Sequence, residues 1–227
     1  MGGAALGADV SHGPRPIVPG SLGVFGGTFD PIHYAHLAVA EEAAEALGLG
    51  RVLFIPAGEP PHKRAVAITP AEDRLAMVEL AIEDNPRFGA DRSEIDRPGP
   101  SYTVDTLEAL RASRPAAGIA SDLTLILSAE AFLGLMTWRE PRRVLELARV
   151  VVAPRDGYPE AGPDFLAEHL PDLADRATFL DGPRLRVSAS ELRARAAAGR
   201  SLRYLVPDAV LAYIGDHGLY QNPRRNP

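Results

Sequence analysis

The sequence predicts an α/β protein: a doubly wound parallel sheet, Rossmann-like, with C-terminal helices. Three observations predict it. Continuous apolar runs at Leu22–Phe25, Arg51–Ile55, Leu123–Leu127 and Ala148–Ala153 have the make-up of strands buried on both faces. Segments with apolar residues at helical spacing alternate with those runs, which is the pattern of βαβ units and so of a parallel sheet. The glycines Gly26 and Gly27 end the first run and lead into a helix, an arrangement that puts a ligand at the carboxyl end of a strand.

Taken in order, Leu22–Phe25 is the first strand and Tyr34–Leu47 the first helix, with Leu37, Ala40, Ala44 and Leu47 on one face. Arg51–Ile55, stopped by Pro56, completes the first βαβ unit. A second helix runs to Ile82, with Thr69 as its expected N-cap and Pro70 at its first position. A weaker strand is expected between Arg87 and Asp96, then a helix over Ser101–Arg114. Beyond the Leu123–Leu127 strand, two short helices, Ala129–Met136 and Pro141–Leu147, flank Thr137 and Trp138. After the Ala148–Ala153 strand comes a polar stretch without assigned structure. A short strand near Thr178–Leu180 and helices over Ser190–Ala198 and Pro207–His217 finish the domain. The expected organisation is a flexible tail over residues 1–20, one domain over 21–220 and a second tail over 221–227.

Composition narrows the function. Lys and Arg number 24 against 30 Asp and Glu, a formal net charge of −6 that argues against a nucleic-acid coat while permitting local cationic pockets. Gly and Pro, 21 each, stay below the roughly 25–30% that marks low-complexity chains. No run approaches the ~18 apolar residues that span a bilayer, and the first nineteen residues lack the pattern of a secretory signal. The chain has no Cys, so disulfide, thiolate-metal and Cys-nucleophile chemistry drop out, as suits a cytoplasmic protein. Assembly into a homo-oligomer stays open.

The densest chemistry lies in Gly23–His36, GVFGGTFDPIHYAH. Gly26 and Gly27 admit a bulky anion close to the backbone, and the N–H groups of the next helix point at the same place. Neither GxGxxG nor GxxxxGK[ST] is present, so hydride transfer and P-loop hydrolysis lose support. His33 and His36 share one face of the first helical turn and can converge on one anion. Ser188, Ser190 and Arg193 gather hydroxyls and a guanidinium at another helix start, although an ordinary N-cap would read the same way. His62 and Lys63 follow a strand end, and Lys63 is the lone Lys in an Arg-rich chain, a point charge where a guanidinium would be too wide. Trp138, the single Trp, sits in a polar turn and offers a ring for stacking.

The run GGTFDPIHYAH resembles the signature of the nucleotidylyltransferase superfamily, whose two His residues bind ATP phosphates. PAGEPPHK, PSYTVDTL, the Thr137–Trp138 pair and VSASELR are similar, in this order, to motifs of bacterial nicotinate-mononucleotide adenylyltransferases. The likeness spans about Leu22–Tyr220. It implies adenylyl transfer from ATP to nicotinate mononucleotide, with His33, His36, Lys63 and Arg193 as catalytic residues. It implies substrate binding by Gly26, Gly27, Thr28, Phe29, His62, Tyr102, Thr103, Ser128, Glu130, Trp138, Ser188 and Ser190, Thr28 serving with Asp30 chiefly to shape the loop. Mg²⁺ is expected on the ATP phosphates, without dedicated protein ligands. The chain departs from the pattern at Ala35, at Ala189, and at Ser128 and Glu130, where the family has Gly and Asp. Rival readings are transfer to nicotinamide mononucleotide or phosphopantetheine, and a nucleotide sensor without turnover.

Overall fold

The computed structural model describes residues 18–61, 68–113 and 123–221. In chain order they form β1 (Val18–Gly27), α1 (Tyr34–Leu47), β2 (Leu49–Pro56), α2 (Ala71–Ile82), β3 (Phe88–Ala90), α3 (Ser93–Asp96) and α4 (Thr103–Ala112). There follow β4 (Leu123–Ser128), α5 (Ala129–Leu133), α6 (Pro141–Leu147), β5 (Ala148–Ala153), α7 (Asp164–His169), β6 (Ala177–Phe179), α8 (Ala189–Ala197) and α9 (Asp208–Asp216). Short 3₁₀ turns lie at Leu135–Thr137 and Pro171–Arg176.

The six strands make one parallel sheet in the order β3-β2-β1-β4-β5-β6. The predicted doubly wound sheet is therefore present. Its order reverses between β1 and β4, where Leu22 pairs with Leu123 and Val24 with Leu125. Connections on the two sides of that point leave in opposite directions, so a crevice opens beyond the strand ends. Alternation along each strand builds two cores. Phe25, Val52, Phe54, Ile126 and Val151 face α1, α2, α8 and α9, meeting Ala40, Ala44, Met77, Leu192 and Val210. Val24, Leu125, Leu127 and Val150 point the other way, against Val104, Leu107, Phe132, Leu145 and Leu166. Each Val, Leu, Ile, Phe or Met among them, fully buried, contributes roughly 1.5–3 kcal/mol.

Several expectations are corrected. The stretch Arg87–Asp96 holds a strand only over Phe88–Ala90; the Asp91 carboxylate then accepts from Ser93 N–H at 2.8 Å and turns the chain into α3. Pro70, not Thr69, is the N-cap of α2, and the Thr69 carbonyl instead accepts from Arg74 Nε at 2.9 Å. The helix expected over Ser190–Ala198 runs over Ala189–Ala197, with Ser188 as its N-cap. The polar stretch after β5 contains α7 and a 3₁₀ turn, and the expected tail residues 1–17 and 222–227 lie outside the described residues.

Candidate active site

His33 is the N-cap of α1 and His36 its third residue, so the helix start itself brings the two imidazoles together. Their rings stack at 3.7 Å between centroids, 20° from parallel, and the His33 backbone N–H donates to His36 Nδ1 at 3.3 Å. Phe29 meets His36 edge-on at 5.1 Å, fixing the second ring against the core. His33 is 4% exposed, and its Nδ1 is buried without a hydrogen-bond partner. Burial, and then the positive charge of Arg155, lower its pKa to about 4, so the ring is neutral at pH 7.

Two cavities meet at the glycine pair. The larger, about 430 Å³, is lined by Gly26, Gly27, Phe29, both histidines, Ser128, Ser188, Arg155 and Arg186. The smaller, about 250 Å³, lies towards α4 and is lined by Thr28, Pro60, Pro61, Glu94, Ser101, Thr103 and Thr106. Gly26, Gly27, Leu127 and Trp138 form walls of both. A Cβ on Gly27 would stand 3.0 Å from the Phe29 ring, tight enough to force that ring aside.

Other expected site residues divide according to what they touch. Ser128 and Ser188 line the larger cavity, and each spends its hydroxyl on a helix cap, accepting from Ala131 N–H and Glu191 N–H at 3.3 Å. Ser190 is exposed, 3.3 Å from the Ser188 hydroxyl. Arg193 lines neither cavity; its Nη1 donates to the Asp30 carbonyl at 2.7 Å. Glu130 also stands outside both linings, its carboxylate paired with Arg155 at 3.1 Å and hydrogen-bonded by the Tyr158 hydroxyl. Thr103 opens α4 onto the smaller cavity, whereas the Tyr102 ring carries the Arg139 guanidinium 4.9 Å from its centre. His62 and Lys63 lie outside the described residues.

Three residues beyond the expected set shape the site's loops and its charge. Asp30, expected only to shape a loop, is 3% exposed and accepts from Tyr220 Oη at 2.6 Å and Thr69 N–H at 3.4 Å. Arg74 is 1% exposed and donates to three loop carbonyls, Thr69, Thr28 and Gly58. Arg155 follows the end of β5, in the crevice that the sheet order creates. That position is the signal in the sequence for it; Arg74 and Tyr220 show themselves only through distant partners. Among the described residues no cluster of three or more His, Asp or Glu is arranged to hold a metal ion, and no helix is long and apolar enough to cross a membrane.

Residues 24–195 match the model of the cytidylyltransferase-like family. A probable nicotinate-nucleotide adenylyltransferase of Roseiflexus sp. (strain RS-1) is 52% identical over 200 residues, 88% of this chain and 98% of that protein. One from Thermus thermophilus is 46% identical over 201 residues, covering 88% and 99%. The fold is similar to that of the Plasmodium falciparum nicotinic acid mononucleotide adenylyltransferase complexed with NaAD. There the TM-score is 0.72 at 16% identity, with 88% of this chain and 97% of that one covered.

Proposed function

We infer what each cavity does from one premise: the chain belongs to the cytidylyltransferase-like family and, within it, to the nicotinate-nucleotide adenylyltransferases. It transfers the adenylyl group of ATP to nicotinate mononucleotide, a step of NAD biosynthesis that gives deamido-NAD and pyrophosphate. The observation that carries the assignment of the site is the wall shared by two cavities, Gly26 and Gly27, with the stacked histidines beside it. A reaction joining two phosphates needs two pockets meeting at one phosphorus.

ATP occupies the larger cavity and the mononucleotide the smaller, its pyridine ring against Trp138. A phosphate oxygen of the mononucleotide attacks the α-phosphorus, the bond from that phosphorus to the bridging oxygen breaks, and pyrophosphate leaves with the electron pair. The attacking oxygen is already anionic, so no protein nucleophile or base is required. Stabilising the departing charge is what remains. Neutral His33 donates a hydrogen bond there rather than a charge, and Arg155, which lines the same cavity, supplies positive potential. His36 and Ser188 complete the donors on the α1 and α8 sides. Lys63 and His62 are assigned to the triphosphate by their motif. Arg193 acts on this picture through the Asp30 loop that it braces. Mg²⁺, arriving with ATP and not on dedicated protein ligands, would supply further charge neutralisation. A chain without Cys fits a cytoplasmic reaction.

Pyrophosphate release from ATP, followed with nicotinate mononucleotide, nicotinamide mononucleotide and phosphopantetheine in turn, tests the reading. The acid should be used at least tenfold better than the amide, the size expected when one or two buried donors face a group unable to pair with them. No release with the acid would reject the assignment, and binding without release would make the chain a sensor.

A further inference from the structure

The smaller cavity contains a charge that the adenylyl transfer does not use. Glu94, on α3, is 7% exposed and lines that cavity beside Thr103, Thr106 and Trp138. Its carboxylate has donors built around it. Thr106 Oγ1 donates to Oε1 at 2.6 Å, the Ser101 hydroxyl hydrogen-bonds to it as well, and the Arg97 guanidinium stands 4.0 Å away. Each hydroxyl has a single proton; that of Ser101 is directed at Glu94, and that of Thr106 goes to Glu94 at 2.6 Å in preference to the Tyr102 carbonyl at 3.4 Å. Each then accepts from elsewhere, Ser101 from Gly58 N–H and Thr106 from Arg97, both at 2.9 Å. Arg97 approaches Glu94 from outside the cavity lining, at 4.0 Å, so on the cavity side the group presented is the carboxylate.

The position of that charge is fixed by backbone as well. A Cβ on Gly58 would fall 2.2 Å from the Glu94 carbonyl, so only glycine lets the loop after β2 lie against α3. Ser101 N–H donates to the Glu59 carbonyl at 2.9 Å, tying the same loop to the approach of α4. Such a rigid anion discriminates by ligand charge: it attracts a cationic ring, and a carboxylate on that ring must lie away from it, at the open start of α4. An N-ribosylated pyridine carries its positive charge in the ring.

We propose that Glu94 is the electrostatic partner of the pyridinium ring, selecting the cationic ring of a pyridine mononucleotide whatever its substituent. The proposal rests on assigning the smaller cavity to the acceptor. It separates two tasks within one pocket: α4's open start at Thr103 reads the substituent, and Glu94 reads the oxidation state of the ring. A ring reduced to the 1,4-dihydropyridine keeps nearly the same outline and loses the charge, so it should be refused.

Nicotinamide mononucleotide and its 1,4-dihydro form make the clean pair of probes, since they share phosphate, ribose and amide and differ in ring charge. Both are measured as competitors of nicotinate mononucleotide in the pyrophosphate assay, at pH 8 because burial pushes the Glu94 carboxyl's pKa up. The unmutated enzyme should hold the pyridinium form about tenfold or more tightly than the reduced form. Glu94→Gln should bring the two within about twofold by weakening the pyridinium form alone, and Glu94→Asp should restore part of the difference. Equal binding of both forms by the unmutated enzyme overturns the proposal and needs no variant. An unchanged ratio in Glu94→Gln, or an equal loss for both forms, also overturns it, the latter showing that Glu94 only braces the loops. Failure of the cavity assignment is visible separately: filling the smaller cavity with Thr103→Phe would then leave the KM for nicotinate mononucleotide unchanged, whereas failure of the activity itself shows as absence of turnover with that acceptor.

Discussion

At the scale of single residues, His33 carries the clearest pH signature. Its folded pKa of about 4 lies below the ordinary 6.5, so between those values the unfolded chain binds more protons than the native one. Stability is then full above about pH 6.5 and falls as the pH drops towards 4, by about 3 kcal/mol from this group. Urea titrations of the unmutated protein and His33→Gln across pH 4 to 7 check this: the variant's pH dependence should be flatter by that amount. For His36, alanine substitution should lower turnover roughly 10²-fold with little change in stability, and turnover near the unmutated value would take it out of the reaction. Much at this scale is legible in the sequence. His33, His36, Gly26, Gly27 and Ser188 owe their placement to local geometry, a strand end or a helix start, which a spacing reveals. Spacing alone does not reveal the partners that hold Glu130 and Arg193, which lie far along the chain at Arg155 and Asp30. Arg74, with three carbonyls to serve, gives no local hint at all.

At the scale of elements, the site depends on how its loops are tied together. Arg74 reaches from α2 to the loop after β1 and the loop after β2, so Arg74→Met should leave the Thr28, Thr69 and Gly58 carbonyls without their partner. A loss of about 3–5 kcal/mol, read as a lower urea midpoint at unchanged slope, is expected. A smaller loss would mean that water replaces the guanidinium. The contact of Tyr220 with Asp30 joins the segment after α9 to the same loop. Tyr220→Phe keeps the ring and removes a donor from a buried carboxylate, at about 1–3 kcal/mol; unchanged stability would show that Arg193 and Thr69 suffice. Helices with strong periodicity or a sharp start are legible to the residue, as α1 and α6 show. α7 is not, because of its six residues only Leu166 is buried and its neighbour Phe165 is partly so, and two adjacent apolar residues leave no period to read. Strand β3 is shorter than expected because the Asp91 carboxylate accepts from Ser93 N–H and turns the chain into α3 directly after Ala90.

At the scale of the whole molecule, both cores are faces of the same six strands, and side chains adjacent in sequence, such as Leu125 and Ile126, belong to different cores. Neither core can loosen without moving the other, so unfolding should be a single transition. Fluorescence of Trp138, the chain's one Trp, reports on one face, and far-UV circular dichroism on all helices. Their urea curves should coincide; separate midpoints would mean that the faces melt independently. The reversal in strand order has a further consequence for a chain made from its N-terminus. Strand β1 ends at Gly27 and its second neighbour, β4, is complete only at Ser128. A ribosome adding about 5–20 residues per second takes about 5–20 s over that interval. Throughout it, one of the two central strands of the finished sheet presents at least one unpaired edge to its surroundings, an invitation to sticking that chaperones would be expected to answer.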